Sequence, residues 1–479
     1  MARRQVRRQR TEAGMHLRRF LLGGMAVVCA ASGLHAQNAA PELQQVLQRM
    51  DRLEEQNREM MAEIRALRQE LAAAKPAGEA PAAVVTDAPA SEAGGVGSSD
   101  KGTVQERLDV QEHRTAQLDQ EKVSSDHRLP VTMTGMLLMN SYWTGSGAAG
   151  DNPTIAPLTP GAVSAGATFR QSVLGLKLDG PTIVGGAKVT GSVYADFAGG
   201  SGGTLAQTVR LRVASLDAAW KRTTLTFALD KPILAPREPD SLAQVAVSPL
   251  TSAGNLWLWQ PQVRVEQRFA LGKSAGLRAQ VGVYQTSEGG AGVTGEYAPT
   301  LAKSRPGYEG RFEFWGASGE DRRIEIAPGF HVSTTRVAGQ SVPSQIASVD
   351  WLIRPVARVD VTGQFFYGEN SGVISGLRQG VNIVNGVATS VHTMGGWAQL
   401  KVRITPRASF NFYGGQEDPR NRDLMLGQIG KNQAYAGNIM YRFGSNILGS
   451  FESSWVRTTY ISSGTRIFPH YDLAIAYLF

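Results

Sequence analysis

The last twelve residues, Phe468–Phe479, read FPHYDLAIAYLF. Counting back from Phe479, every second residue is apolar or aromatic: Tyr477, Ile475, Leu473 and Tyr471. Leu478, Ala476, Ala474 and Asp472 stand between them, mostly small or polar. A period of two over about ten residues is the pattern of a half-buried strand. Ending on the apolar phase, with aromatics at both ends of the outward row, suits the closing strand of a transmembrane β-barrel. One such strand also fits the edge of a sandwich, so the reading depends on repetition.

The period repeats from about residue 129 to the end. It predicts sixteen strands beginning near Pro130, Thr168, Lys188, Val209, Thr223, Gln262, Leu277, Tyr308, Arg323, Gln345, Arg358, Trp397, Ala408, Asn432, Asn446 and Phe468. Lys221-Arg222, Gly272-Lys273, Arg354-Pro355, Pro406 and Gly444-Ser445 read as tight turns. Long connections lie between them, at Tyr142–Thr168, Lys231–Pro261, Gln285–Gly307, Gly368–Met394 and Gln416–Asn432. An even strand number, with short turns at one end and long loops at the other, marks an outer-membrane barrel. Sixteen strands enclose a lumen wide enough for water. A soluble sandwich would neither need so many strands nor alternate its connections so regularly.

In lipid the apolar row of each strand must face out and the polar row must line the lumen. Val263, Val265 and Phe269 oppose Gln262, Arg264, Glu266 and Arg268. Phe312 and Phe314 oppose Glu309, Arg311 and Glu313, and Ile324, Ile326 and Phe330 oppose Arg323, Glu325 and His331. Val359, Val361, Phe365 and Tyr367 oppose Arg358, Asp360 and Gln364, while Ala398, Leu400, Val402 and Ile404 oppose Gln399, Lys401 and Arg403. Five strands with their charges on one parity imply a wet face. Its candidate pore-lining residues are Arg212, Arg264, Glu266, Arg268, Arg311, Arg358, Lys401 and Arg403. Rings of Arg and Lys favour anions. Alternatively, neighbours such as Arg264/Glu266 and Arg311/Glu309 pair with each other and brace the wall. The connection from Lys231 to Pro261, stiffened by Pro232, Pro236, Pro239 and Pro249, is expected to fold inward as a constriction carrying Lys231, Arg237, Glu238 and Asp240. An external loop at a subunit contact is the other reading.

The N-terminal part is organised differently. Residues 1–36 read as a signal peptide, with Arg18-Arg19 before the apolar run Phe20–Ala31 and the small residue Ala36 at the cut. Met15 is an alternative start, and the run falls short of the roughly 20 residues of a spanning helix. The single cysteine, Cys29, lies within it, so the mature chain has no disulfide framework. The formal charge of +8 is largely a property of this segment: beyond residue 36 there are 42 basic and 40 acidic side chains, which gives no reason to expect nucleic acid. Residues 37–75 are expected to form a periplasmic coiled coil. Leu43, Met50, Asn57, Ile64 and Leu71 form one core row, and Val46, Leu53, Met60 and Leu67 the other. Charges flanking them (Arg49 with Glu54, Glu63 with Arg68) suit a parallel assembly, and Asn57 sets its register. Residues 76–128, rich in Ala, Pro, Gly and Ser, read as a flexible linker, leaving 129–479 as the barrel. The fold class expected is therefore all-β, a sixteen-stranded antiparallel transmembrane barrel with an N-terminal α-helical coiled coil.

Several stretches carry a family resemblance: Arg210-Leu-Arg212, Pro261-Gln-Val-Arg264, Arg305-Pro-Gly-Tyr-Glu309-Gly-Arg311, Phe366-Tyr-Gly-Glu-Asn370, Gly395-Gly-Trp-Ala-Gln-Leu400, Lys431-Asn-Gln-Ala-Tyr435 and Arg457-Thr-Thr-Tyr460. With the coiled coil, they make the chain similar to the DcaP-like trimeric porins. The resemblance implies a signal peptide, an outer-membrane homotrimer and passive uptake of small anionic solutes such as dicarboxylates. Ala228-Leu-Asp230 departs from the pattern, where a Gly-Gln pair would be expected. The final strand likewise resembles the C-terminal signature through which outer-membrane proteins are recognised by the assembly machinery, here ending in Phe479.

Competing functions are a sugar-specific porin with a similar coiled coil, an envelope-tethering or adhesive protein whose helix contacts the cell wall, and an outer-membrane hydrolase. A sugar porin would want aromatics lining one side of the lumen, whereas most strand aromatics here fall on the outward phase. A hydrolase would need a nucleophile held against a base, and His331, His392 and His470 show no such spacing in sequence. The expectation is a non-enzymatic channel without cofactor or metal.

Overall fold

A computed structural model describes residues 130–479, apart from 147, 149, 152, 201–206, 244, 287–304 and 320–321. The signal peptide, the coiled coil with its rows from Leu43 to Leu71, and the linker all lie outside the described residues.

The chain runs through β1 (Val131–Thr144), β2 (Ser164–Thr168), β3 (Val173–Ile183), β4 (Ala187–Gly199), β5 (Thr208–Ala219), β6 (Thr223–Asp230), β7 (Gln260–Ala270) and β8 (Ala275–Tyr284). It continues through β9 (Gly307–Ser318), β10 (Arg322–Val337), β11 (Gln340–Val356) and β12 (Val359–Glu369). A small hairpin follows, β13 (Val381–Val384) and β14 (Val387–Ser390). Then come β15 (His392–Arg403), β16 (Ala408–Pro419), β17 (Ile429–Arg442), β18 (Ile447–Tyr460) and β19 (Gly464–Leu478).

The C-terminal stretch closes the sheet. β19 pairs antiparallel with β1, Met136 opposite Leu478 through to Thr144 opposite His470. The other edge of β1 pairs with β3 from Val131 to Met136 and with β2 from Asn140 to Thr144. β2 and β3 are thus two segments of one wall strand, and the barrel has sixteen staves with no free edge. The backbone of Phe479 adds two bonds across the seam, to the N–H and C=O of Gly135 (2.9 and 3.1 Å).

The expected alternation of faces holds around the wall. Val263, Phe312, Phe314, Ile324, Phe365, Leu400, Leu473, Ile475 and Tyr477 are exposed on the outside, while Glu309, Arg311, Glu325, Gln364, Gln399, Lys401 and Asp472 are buried within. Strand starts differ where the apolar contrast fades. β11 begins at Gln340 rather than Gln345, β15 at His392 rather than Trp397, and β19 at Gly464 rather than Phe468. Those first turns of strand carry Ser, Thr, Gln and Arg on both faces, so hydrogen bonding continues beyond the amphipathic pattern. The turn expected at Arg354-Pro355 also moves. β11 continues to Val356 through a bulge between Ile353 and Val356, where a proline without an N–H is tolerated, and the chain turns at residues 357–358. Arg358 accordingly sits exposed in that turn and does not line the lumen. At the opposite end, the connections at residues 338–339 and 461–463 are as tight as turns, because the flanking strands are long.

Candidate functional site

Residues 231–259, between β6 and β7, fold into the barrel. Their side chains and carbonyls are held by the inward residues of eight wall strands. The Ile233 N–H donates to Glu309 (2.6 Å), and Gln364 and Ser348 donate to the Leu234 carbonyl. Arg237 pairs with Asp350 (2.8 Å), Glu325 and Glu313. The Asp240 N–H donates to Gln399, its carboxylate accepts from Gln399 and Lys401 (2.7 and 3.0 Å), and its carbonyl accepts from Asn438. Ser241 donates to Glu452, Asn140 donates to the Leu242 carbonyl, and Asn432 donates to the Ser252 carbonyl. Gly254, in a left-handed conformation (φ 98°), lies so close to β15 and β16 that a Cβ there would meet the carbonyls of Gly396 and Gln416. Leu234, Ala235 and Leu256 pack with Val342, Ile346, Phe366 and Val373 into an apolar cluster inside the barrel. Nothing about this is a swinging lid: the loop has the packing of a protein core.

Two charges of the loop respond to this setting. Burial alone would lower the pKa of Arg237, but Glu325, Asp350 and Glu313 outweigh it and the guanidinium is held more firmly protonated than usual. Burial alone would raise Glu238, but Lys231 at 2.9 Å and the Ser248 hydroxyl at 2.6 Å bring its carboxyl below the usual range.

With the loop fused to one side, the open space lies against the other. A passage of about 640 Å3 runs between the loop and β3–β8. Lys177, Arg210, Arg212, Lys231, Arg237, Arg264 and Arg278 line it, against Asp196, Asp217, Asp230 and Glu238. Arg210 forms a two-bonded fork with Asp196 (3.0 and 2.6 Å) and donates to the Ala246 carbonyl (2.9 Å). Arg210 and Arg212 both lie over the Trp259 ring, at 4.8 and 5.1 Å from its centre. Trp257 meets Trp259 edge-on at 4.9 Å and fixes it. Arg264 pairs with Asp230 (2.8 Å) and Arg278 with Glu313 (2.7 Å).

The sequence-derived residues therefore separate into three groups. Arg212, Lys231, Arg237, Glu238 and Arg264 border the passage. Arg311, Lys401, Arg403 and Asp240 are buried in ion pairs: Arg311 with Asp350 and Glu313 (2.7 Å each), Lys401 with Asp240, and Arg403 with Asp360. Glu266 and Arg268 pair with each other (2.6 Å) toward the turn end, with Arg268 largely exposed. Bracing was foreseen, but its partners were not: Arg264 chooses Asp230 over Glu266, and Arg311 chooses Asp350 over Glu309. Arg210, Arg278, Asp196, Asp230 and Trp259 complete the passage. The Arg210-Leu-Arg212 motif contains one of these positions, but no local pattern signals Arg278.

One arrangement invisible in sequence is a chain from Ser344 through His331 to Glu309, with contacts of 3.1 and 3.2 Å. It has the partners of a nucleophilic triad. All three are at most 1% exposed, so no substrate reaches the hydroxyl. Among the described residues, no group of three His, Cys, Asp or Glu is placed to hold a metal ion.

No family model and no curated protein matches the chain. Among solved structures it is similar to the outer membrane channel DcaP of Acinetobacter baumannii, with 17% identity and a TM-score of 0.58 over 73% of this chain and 97% of that one. An anion-selective porin from Comamonas acidovorans aligns at 11% identity and a TM-score of 0.49, over 73% and 99% of the two chains. OmpT of Vibrio cholerae aligns at 9% and 0.44, over 74% and 99%. The fold of this chain is that of the DcaP outer-membrane channel, as the motifs along its wall implied.

Proposed function

We propose that the chain is a DcaP-like porin of the Gram-negative outer membrane, a homotrimer that passes small, preferentially anionic solutes, dicarboxylates among them, by passive diffusion. The observation that carries this is the inward loop, which confines the open space to one side of the lumen where basic side chains outnumber acidic ones seven to four. Arginine and lysine at a constriction favour anions electrostatically, and an arginine fork binds carboxylates at two points. The outward apolar belt supports residence in lipid, and among the described residues no helix offers another way across. Phe479 at the closing seam supports recognition by the assembly machinery. The heptads of residues 37–75 support trimerisation in the periplasm, and cell-wall contact is a second role for the same helix.

A sugar-specific channel is less well supported, because the Trp259 ring, the aromatic best placed in the passage, lies beneath two guanidiniums. Reconstitution of the full mature chain in a planar bilayer tests the reading. Three-step conductance with a reversal potential favouring anions is expected, and a clear cation preference refutes the solute assignment. Deleting residues 37–75 should weaken the trimer; an unaffected trimer would assign the helix to tethering.

A further inference from the structure

Among the basic side chains of the passage, Arg212 stands apart. Arg210 is held by Asp196 and the Ala246 carbonyl, Arg264 by Asp230, Lys231 by Glu238, and Arg278 by Glu313 through a terminal nitrogen, although its buried Nε has no acceptor among the described residues. Arg212 has no hydrogen-bond acceptor among the described residues. Its Nε lies 3.8 Å from Asp196 Oδ2, within ion-pair reach but too far for a hydrogen bond, and the same oxygen already accepts from Arg210 at 2.6 Å. Two guanidiniums thus share one carboxylate, and Glu238, the other acidic group acting on Arg212, is taken by Lys231, which leaves a net positive charge at a fixed point. The Arg212 side chain is 18% exposed, and it borders the passage.

Five N–H donors lie in the plane of a guanidinium and point from its edge. Stacking on Trp259 occupies a face and leaves that edge available. The donors at that edge have no protein acceptor among the described residues and open onto the passage, so a solute oxyanion can take the place of water there. We infer that Arg212 is an oxyanion-binding subsite that takes a carboxylate from a passing solute, with Trp259 as the positioning residue that holds its fork toward the passage. Arg210, by contrast, ties the loop to β5. The inference deepens the channel reading and rests on it: it adds a saturable site for planar oxyanions to a general field for anions. A fork matches a carboxylate at two points and a spherical chloride at none, so the site separates the two.

The test uses the mature chain in a planar bilayer carrying chloride current, with sodium acetate added to one side. Wild type should show saturable block by acetate. Arg212→Gln should raise the half-blocking concentration by about tenfold, the loss of one charge-assisted fork. Trp259→Leu should raise it by about threefold and Trp259→Phe much less, since phenylalanine retains the ring. Arg212→Lys, which keeps the charge without the fork, should weaken the block less than Arg212→Gln but clearly relative to wild type, which separates fork from charge. Block unchanged in Arg212→Gln, or equally weakened in Arg278→Gln, overturns the subsite in favour of a diffuse field. Titrating the folded protein in detergent with acetate, read by tryptophan fluorescence, is independent of conduction. Saturation in wild type that is lost in Arg212→Gln supports the subsite even if the channel reading fails, and its absence in wild type overturns it.

Discussion

The wall from β9 to β19 and the wall from β3 to β8 obey the same alternation but use it differently. On the first, inward charges are consumed: Arg311 and Asp350, 0 and 1% exposed, join Arg237, Glu313 and Glu325 to clamp the loop, and Lys401 does the same through Asp240. On the second, Arg212, Arg264 and Arg278 keep part of their surface open to the passage. Inward polarity therefore has two meanings, a wet lining and a dry anchor. The difference is set by whether another segment of the chain arrives to cover it.

The comparison breaks most visibly at the anchor. Asp350→Ala leaves Arg237 and Arg311 short of their shared acceptor, and removing one partner of a buried ion network costs about 3–5 kcal/mol. The urea midpoint of the refolded barrel in detergent should fall accordingly, and single-channel conductance should rise as the loop loosens. An unchanged midpoint would mean that the loop is held without the network.

A paired substitution sharpens the contrast. Arg403→Ala, which removes a buried partner of Asp360, should lower stability by about 3 kcal/mol and leave the reversal potential unchanged. Arg264→Ala, whose pair with Asp230 is partly exposed, should shift the potential toward cations and change stability by less than about 1 kcal/mol. The opposite outcome would exchange the roles assigned to the two halves.

The smallest effect expected is in acid. Glu238 has a lowered pKa in the folded protein, so its contribution is complete above the ordinary glutamate value and is lost as pH falls through the lowered one. The Glu238 contribution to the conductance of wild type should thus persist through the ordinary glutamate range and be lost only below it. Glu238→Gln should remove that acid-dependent step. A step that persists in Glu238→Gln would point to another carboxylate.

The motifs that suggested the family have a common use that no motif displays by itself. Gln262 donates to the Lys231 carbonyl, Glu309 accepts from Ile233, Gln399 brackets Asp240, and Asn432 holds Ser252. Gly415, where a Cβ would meet the Ala253 carbonyl, lets the loop lie flat against the wall. In the last of the quoted motifs, Thr458 and Tyr460 hold Ala156 of the first loop in the same way (2.9 and 2.7 Å). These segments are the sockets of inward loops, and they lie up to 304 residues from the groups they receive, as with Ala156 and Tyr460.

By itself the sequence determined which side of each strand meets which surroundings. Period two is local: adjacent side chains of a strand must point opposite ways, and only the apolar row survives outside the barrel. It also marked the loop that would turn inward, through its prolines and its place after the fifth wall strand. Tertiary structure alone decided which inward charges stay wet, because that depends on what lies across the lumen from them. Arg212 and Lys401 read alike along the chain. They differ because Asp240 comes to meet Lys401, whereas Arg210 reaches Asp196 first and leaves Arg212 facing the passage.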